Sequence, residues 1–198
     1  MEETKQYINK YLLPIIIESG EKLEGNIFMN HRTTKYTNKF INKIKNIETI
    51  SSNKGVEKVL EIGFNSGFSS LLMLFSNPNL TITCLDLCRH KYTIPCYEQI
   101  KKTFKNRINL ISGDSTKTIH NISDTFDLIH IDGGHSVRVA SADIQNSLRL
   151  SKSGTTLIMD DYDITKLKSL WDKIISGIYH KKIKIHESKY HDIIRLGY

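Results

Sequence analysis

Short apolar runs alternate along the chain with longer stretches whose apolar residues recur every three or four positions. The runs are "KVLEIG" (Lys58–Gly63), "LTITCLDL" (Leu80–Leu87), "INLISG" (Ile108–Gly113), "FDLIHID" (Phe126–Asp132) and "TTLIMDD" (Thr155–Asp161). They are rich in Ile, Leu and Val and barely alternate, as strands buried on both faces do. Helical spacing fills the gaps. "SSLLMLFSN" ends at Pro78, "YEQIKKTFK" follows the second run, and "SVRVASADIQNSLRL" precedes Ser153–Gly154. Strand alternating with helix predicts a parallel sheet covered on both faces, an α/β fold. Beyond the fifth run, "KLKSLWDKIISGI" predicts a helix. "KIKIHES" and "HDIIRLGY", with a short turn between them, predict a terminal antiparallel hairpin. About 50 residues before the first strand read as two or three helices, of which "TNKFINKIKNIETI" is the clearest.

The 198 residues suffice for one domain with a full-sized core. We expect residues 1–55 to supply helices and a cover, and residues 56–198 the sheet. With 39% hydrophobic and 25% charged residues, the composition is that of a soluble globular protein. The longest uncharged apolar run, around Tyr11–Ile17, is too short to span a bilayer and contains Pro14. The opening "MEETKQYINK" carries charges of both signs and does not resemble a secretory signal, so we expect a cytoplasmic protein. A net charge of +7 is compatible with an anionic partner such as nucleic acid. Its Lys and Arg are spread along the chain, however, and the denser "KKTFKNR" and "HKKIKIHESK" read as solvated surface. Cys84, Cys88 and Cys96 are odd in number, which argues against a disulfide framework. Their spacing with His90 fits no common zinc motif.

Open parallel sheets bind ligands at the carboxyl ends of their strands. The first such end here is Glu61-Ile62-Gly63-Phe64-Asn65-Ser66-Gly67. Its glycines permit a tight turn and a close approach of ligand to backbone. The stretch is neither GxGxxG nor GxxxxGK[ST], which disfavours a dinucleotide or a nucleoside triphosphate. Asp86 ends the second strand, where a carboxylate accepts the ribose hydroxyls of an adenosine. Gly113-Asp114-Ser115 ends the third and offers a turn with polar groups for an adenine edge. Any one of these acids alone reads as a helix cap or a loop residue. Their recurrence at successive strand ends does not.

These motifs resemble those of the class I S-adenosylmethionine-dependent methyltransferases over roughly Val56 to Tyr198. "VLEIGFNSGFSS" is similar to their first motif, "CLDL" to the ribose-binding acid and "SGDS" to the adenine-side turn. The resemblance implies a Rossmann-like, seven-stranded, mostly parallel sheet whose hairpin carries the reversed seventh strand. It also implies that Glu61, Gly63, Phe64, Asn65, Gly67 and Ser69 lie along the methionine and ribose side. By the same resemblance Asp86 and Leu87 hold the ribose, Gly113, Asp114 and Ser115 flank the adenine, and Asp132 borders the methyl group.

Asp132 ends the fourth strand, and Asp160 and Asp161 end the fifth. This set resembles the metal-dependent O-methyltransferases of the catechol and caffeoyl-CoA type. The resemblance implies that Asp132, Asp160 and Asp161 hold a divalent cation. Converging carboxylates would otherwise repel one another, and an oxygen-only site suits Mg²⁺. Asp161 stands where those enzymes have Asn, and the Asp-Asp pair with "IDGGHS" is closer to the macrocin-like sugar and antibiotic O-methyltransferases. His135 occupies the position that holds the lysine base in the catechol enzymes, and with Asp132 it forms the expected catalytic pair. It is also expected to open a helix whose N-terminus lowers its pKa. "EGNIFMNHRT" (Glu24–Thr33) resembles the segment that covers the cofactor, which implies contacts from Met29, Asn30 and His31. The expected activity is methyl transfer to a hydroxyl of a small molecule such as a sugar or phenol. The alternatives are an RNA or other nucleic-acid methyltransferase, and a catalytically inactive cofactor-binding subunit. A homodimer is compatible with the sequence.

Overall fold

A computed structural model describes residues 1–197; Tyr198, the last residue of the resembling span, lies outside them. The five apolar runs form β1 (Lys58–Ile62), β2 (Thr81–Asp86), β3 (Ile108–Ser112), β4 (Phe126–Ile131) and β5 (Ser151–Asp160). They are joined by β6 (His180–Lys182) and β7 (His191–Leu196) in a seven-stranded sheet of order β3-β2-β1-β4-β5-β7-β6. β1 to β5 run parallel, whereas β7 is antiparallel to both β5 and β6. The order reverses between β1 and β4, where an open α/β sheet forms its binding crevice.

Helices cover both faces. α1 (Glu2–Tyr7) passes through a π-helical turn (Ile8–Leu12) into α2 (Leu13–Glu18), and α3 (Ile41–Ser51) follows. These pack with α4 (Phe68–Ser76) and α5 (Thr93–Phe104) on Val59, Ile82, Cys84, Leu128 and Ile158. The short α6 (Ser115–Thr118) follows β3. α7 (Val137–Arg149) and α8 (Thr165–Ile175) cover Leu60, Ile62, Leu85, Ile129 and Met159 on the opposite face. Val59 and Leu60, adjacent in β1, thus serve two separate cores, which is why these strands read as unbroken apolar runs. No described helix is long and apolar enough to cross a membrane.

The terminal hairpin departs from the expected boundaries. β6 lies at residues 180–182, before most of "KIKIHES". The stretch that follows is held by α3 instead of by the sheet. Asn46 accepts the backbone N–H of His186 at 2.9 Å and donates to its carbonyl at 2.8 Å, and Asn42 donates to the Glu187 carbonyl at 2.8 Å. Backbone groups satisfied by side chains leave no ladder to extend.

Candidate functional site

The carboxyl ends of β1 to β4 open into a cleft of about 480 Å³, a volume suited to a small organic ligand. Its floor is set by backbone contacts that continue the sheet past the strand ends. Gly63 N–H donates to the Leu85 carbonyl, Gly113 N–H to that of Asp86, and Asp132 N–H to that of Ile62, each at 2.8 Å. Gly63 has φ +99, and a Cβ there would stand 1.9 Å from the Asp132 carbonyl oxygen. Only glycine lets these two loops approach so closely. The Asp86 carboxylate accepts the backbone N–H of Asn65 at 2.7 Å and of Cys88 at 2.6 Å. It thereby ties the first loop to the second while facing the cleft. Asn65 donates its side-chain amide to the Glu24 carbonyl at 2.7 Å, bringing the N-terminal segment to the rim.

Of the residues expected to hold the cofactor, Gly63, Asn65, Asp86, Leu87, Gly113, Asp114, Ser115 and Asp132 line the cleft. Four other expected cofactor residues do not. Glu61 is fully buried on the opposite face of β1 from Ile62. There it accepts Ser69 Oγ at 2.5 Å, is bonded by Ser70, and lies 3.0 Å from Nδ1 of buried His130. Ser69 is thus engaged beneath the cleft and not in it. Phe64 is buried edge-on against Tyr97, their ring centroids 6.1 Å apart. Gly67, at φ +77, leaves room for that ring, since a Cβ would meet it at 2.4 Å. In the N-terminal segment, Met29 is buried in the core and Asn30 and His31 are exposed away from the cleft; Glu24 and Gly25 line it instead. Gly133 also lines it, and there a Cβ would stand 2.7 Å from Oδ2 of Asp143, a buried α7 residue that accepts Ser115 Oγ at 2.7 Å.

Beside the cleft, Asp160 and Asp161, two of the three carboxylates expected to share one cation, turn to different sides of Asp132. Asp160 faces inward, where its carboxylate pairs with the Lys43 ammonium of α3; the two side chains are 2% and 8% exposed. His130 Nε2 approaches Asp160 Oδ2 at 4.0 Å and has no hydrogen-bond partner. Asp161 takes left-handed backbone, φ +54, and turns the other way. Its Oδ2 lies 2.7 Å from Nε2 of His135. Asp132 stands between the two. His130, Asp132 and Asp160 have ligand atoms within 4.8 Å of one another, as do Asp132, His135 and Asp161, but the three aspartates together form no such set among the described residues. The donors present are two mixed nitrogen–oxygen groups, one already neutralised by a lysine. They do not fit the oxygen-only Mg²⁺ seat expected from the sequence.

The electrostatics follow from these pairings. Burial pushes the Asp132 carboxyl well above the usual range, reinforced by the Asp160 charge. Burial acts on Asp160 in the same direction, but the Lys43 and His130 charges outweigh it and hold that carboxyl low. His135 does not open α7: Ser136 caps it, accepting the Val139 N–H at 3.3 Å. The hydrogen bond to Asp161 raises the His135 pKa above 6.5 despite partial burial, opposite to the lowering expected from a helix N-terminus. Lys43 escaped the sequence reading, although a lysine among Ile44 and Ile47 on a buried helix face was a visible signal. So was His130, a polar residue between buried Ile129 and Ile131 in β4.

The family described as a methyltransferase domain matches residues 60–162, more than half of the 198. Among solved structures, the O-methyltransferase from Bacillus cereus in complex with S-adenosylhomocysteine superposes with a TM-score of 0.68 at 17% identity, covering 94% of this chain and 89% of that one. The S-adenosylhomocysteine-bound Podospora anserina methyltransferase PaMTH1 gives 0.66 at 16% identity over 78% and 77%. TomG from Streptomyces achromogenes, an O-methyltransferase involved in tomaymycin synthesis, gives 0.64 at 13% over 78% and 79%. No curated protein sequence matches the chain. The shared architecture agrees with the strand order described above, and the chain belongs to the methyltransferase-domain family as an S-adenosylmethionine-dependent methyltransferase of the class I fold.

Proposed function

We propose that this chain transfers a methyl group from S-adenosylmethionine to a hydroxyl of a small molecule, with the cofactor along the β1–β3 ends and the acceptor beside Asp132, His135 and Asp161. The observation that carries this reading is the His135–Asp161 pair at 2.7 Å, whose histidine lines the same cleft as Gly63 and Asp86. A carboxylate that holds Nε2–H leaves Nδ1 free to accept a proton.

In this mechanism the acceptor hydroxyl gives its proton to His135 Nδ1. The oxygen forms a bond to the methyl carbon as the carbon–sulfur bond breaks, and sulfur keeps the electron pair. The products are a methyl ether, S-adenosylhomocysteine and an imidazolium stabilised by Asp161. Asp86 accepts ribose hydroxyls with the lone pairs left after its two backbone bonds. No step passes through a divalent cation, because two of the three expected ligands are already paired, Asp160 with Lys43 and Asp161 with His135.

Calorimetry with S-adenosylhomocysteine tests the cofactor assignment. Saturable binding is expected, weakened by about 1–3 kcal/mol in Asp86→Ala through unpaired ribose hydroxyls. Methyl-labelled cofactor should then label hydroxyl-bearing acceptors. Absence of any heat or thermal shift with either cofactor form refutes the reading.

A further inference from the structure

Lys43 lies on the side of α3 that also buries Ile44 and Ile47. A lysine in that position ordinarily threads its stem outward until the ammonium reaches water. This one does the reverse: its ammonium ends on Asp160, and the Phe40 ring centroid lies 5.8 Å from Nζ. An enclosed ammonium is costly unless a carboxylate takes up its charge, so the pair is specific and not incidental. It bridges α3 and β5 across 117 residues of sequence.

Asp160 borders the place where Asp132 and His130 converge. A divalent ion entering there would meet a fixed positive charge already bonded to one of its ligands, in surroundings that screen the repulsion weakly. Asp161 gives no relief, since its backbone turns it to His135.

Resting on the methyltransferase reading above, we infer that Lys43 is the resident cation of the strand-end acids, so that methyl transfer in this chain proceeds without a divalent ion. Lys43 is a positioning residue: it fixes Asp160, and Asp160 in turn sets the environment of Asp132 at the methyl end of the cleft.

Titration of the chelator-stripped protein with Mn²⁺ and with Mg²⁺, followed by calorimetry, tests this without recourse to activity. The wild type is expected to show no saturable binding below millimolar concentration. Lys43→Met, which frees Asp160, is expected to bind Mn²⁺ at least tenfold more tightly, and Lys43→Arg to remain blind to it. Methyl transfer by the wild type should be unchanged in EDTA. Micromolar Mn²⁺ binding by the wild type that Asp160→Asn abolishes would overturn the inference, as would activity lost in EDTA and restored by Mn²⁺. If Lys43→Met does not fold, the wild-type titration and Lys43→Arg still decide. A parallel titration with S-adenosylhomocysteine keeps the two readings apart, since its failure refutes the cofactor assignment and leaves the metal result standing.

Discussion

Nε2 of His135 and Oδ2 of Asp161 lie 2.7 Å apart, on loops that follow the two neighbouring strands β4 and β5. The contact raises the pKa of the imidazole, so the neutral, proton-accepting form dominates only above pH 6.5. The methylation rate should therefore rise with pH through an apparent pKa above 6.5. Asp161→Asn removes the charge that raises it and should move the inflection down. His135→Ala should lower the turnover number by roughly 10²–10⁴-fold with cofactor affinity nearly unchanged. An alanine variant keeping most of the rate and the same pH profile would make the histidine a bystander.

Gly63 offers a test of the cleft's backbone. Gly63→Ala places a Cβ where the Asp132 carbonyl now stands, at φ +99. Either β1 and β4 part or the loop rearranges, and both disturb the floor of the cleft. We expect a stability loss of at least about 2 kcal/mol, in the range of strained backbone combined with overpacking, together with weakened S-adenosylhomocysteine binding. Urea denaturation and calorimetry read the two effects separately. Wild-type values in both would show that the loops tolerate the separation.

His191, the register partner of Asp160 on β7, predicts an acid weakness. Burial depresses its pKa to about 4, against an opposing pull from the Asp160 charge. Between about 6.5 and about 4 the unfolded chain binds a proton that the folded chain refuses, so stability falls as pH falls through that window. The contribution is about 1–3 kcal/mol. Asp143 acts in the opposite sense: burial pushes its carboxyl up to about 6, so its folded form gains a proton first. The histidine term is therefore the difference between wild type and His191→Gln, read from urea midpoints at pH 7 and pH 4.5. Parallel pH dependences in the two proteins would remove His191 as the cause.

The strand ends were legible in the sequence because a strand buried on both faces leaves an unbroken apolar run, and polar residues at its end stand out. Asp86, Asp114 and Asp132 are such residues, and all three line the cleft. The motif resemblance implied a place beside the cofactor for Glu61, whereas strand alternation puts it on the opposite face from Ile62, buried beneath the cleft. Lys43 needed information no local window holds, since its partner lies 117 residues away. The left-handed backbone that turns Asp161 away from Asp160 and towards His135 was not legible either, since nothing in "TTLIMDDYD" marks that reversal.

β7 lies between β5 and β6 in the sheet although it follows both in the chain. During synthesis the outer edge of β5 therefore stays open until His191–Leu196 has emerged, because β6 has no position beside it. An unpaired edge next to the buried Lys43–Asp160 ion pair is a template for wrong partners. The end of the sheet that carries Asp160 is thus the last part of the fold to close, and a ribosome stalled shortly before His191 would hold a chain with β1 to β4 made and the β5–β7 pairing still unformed.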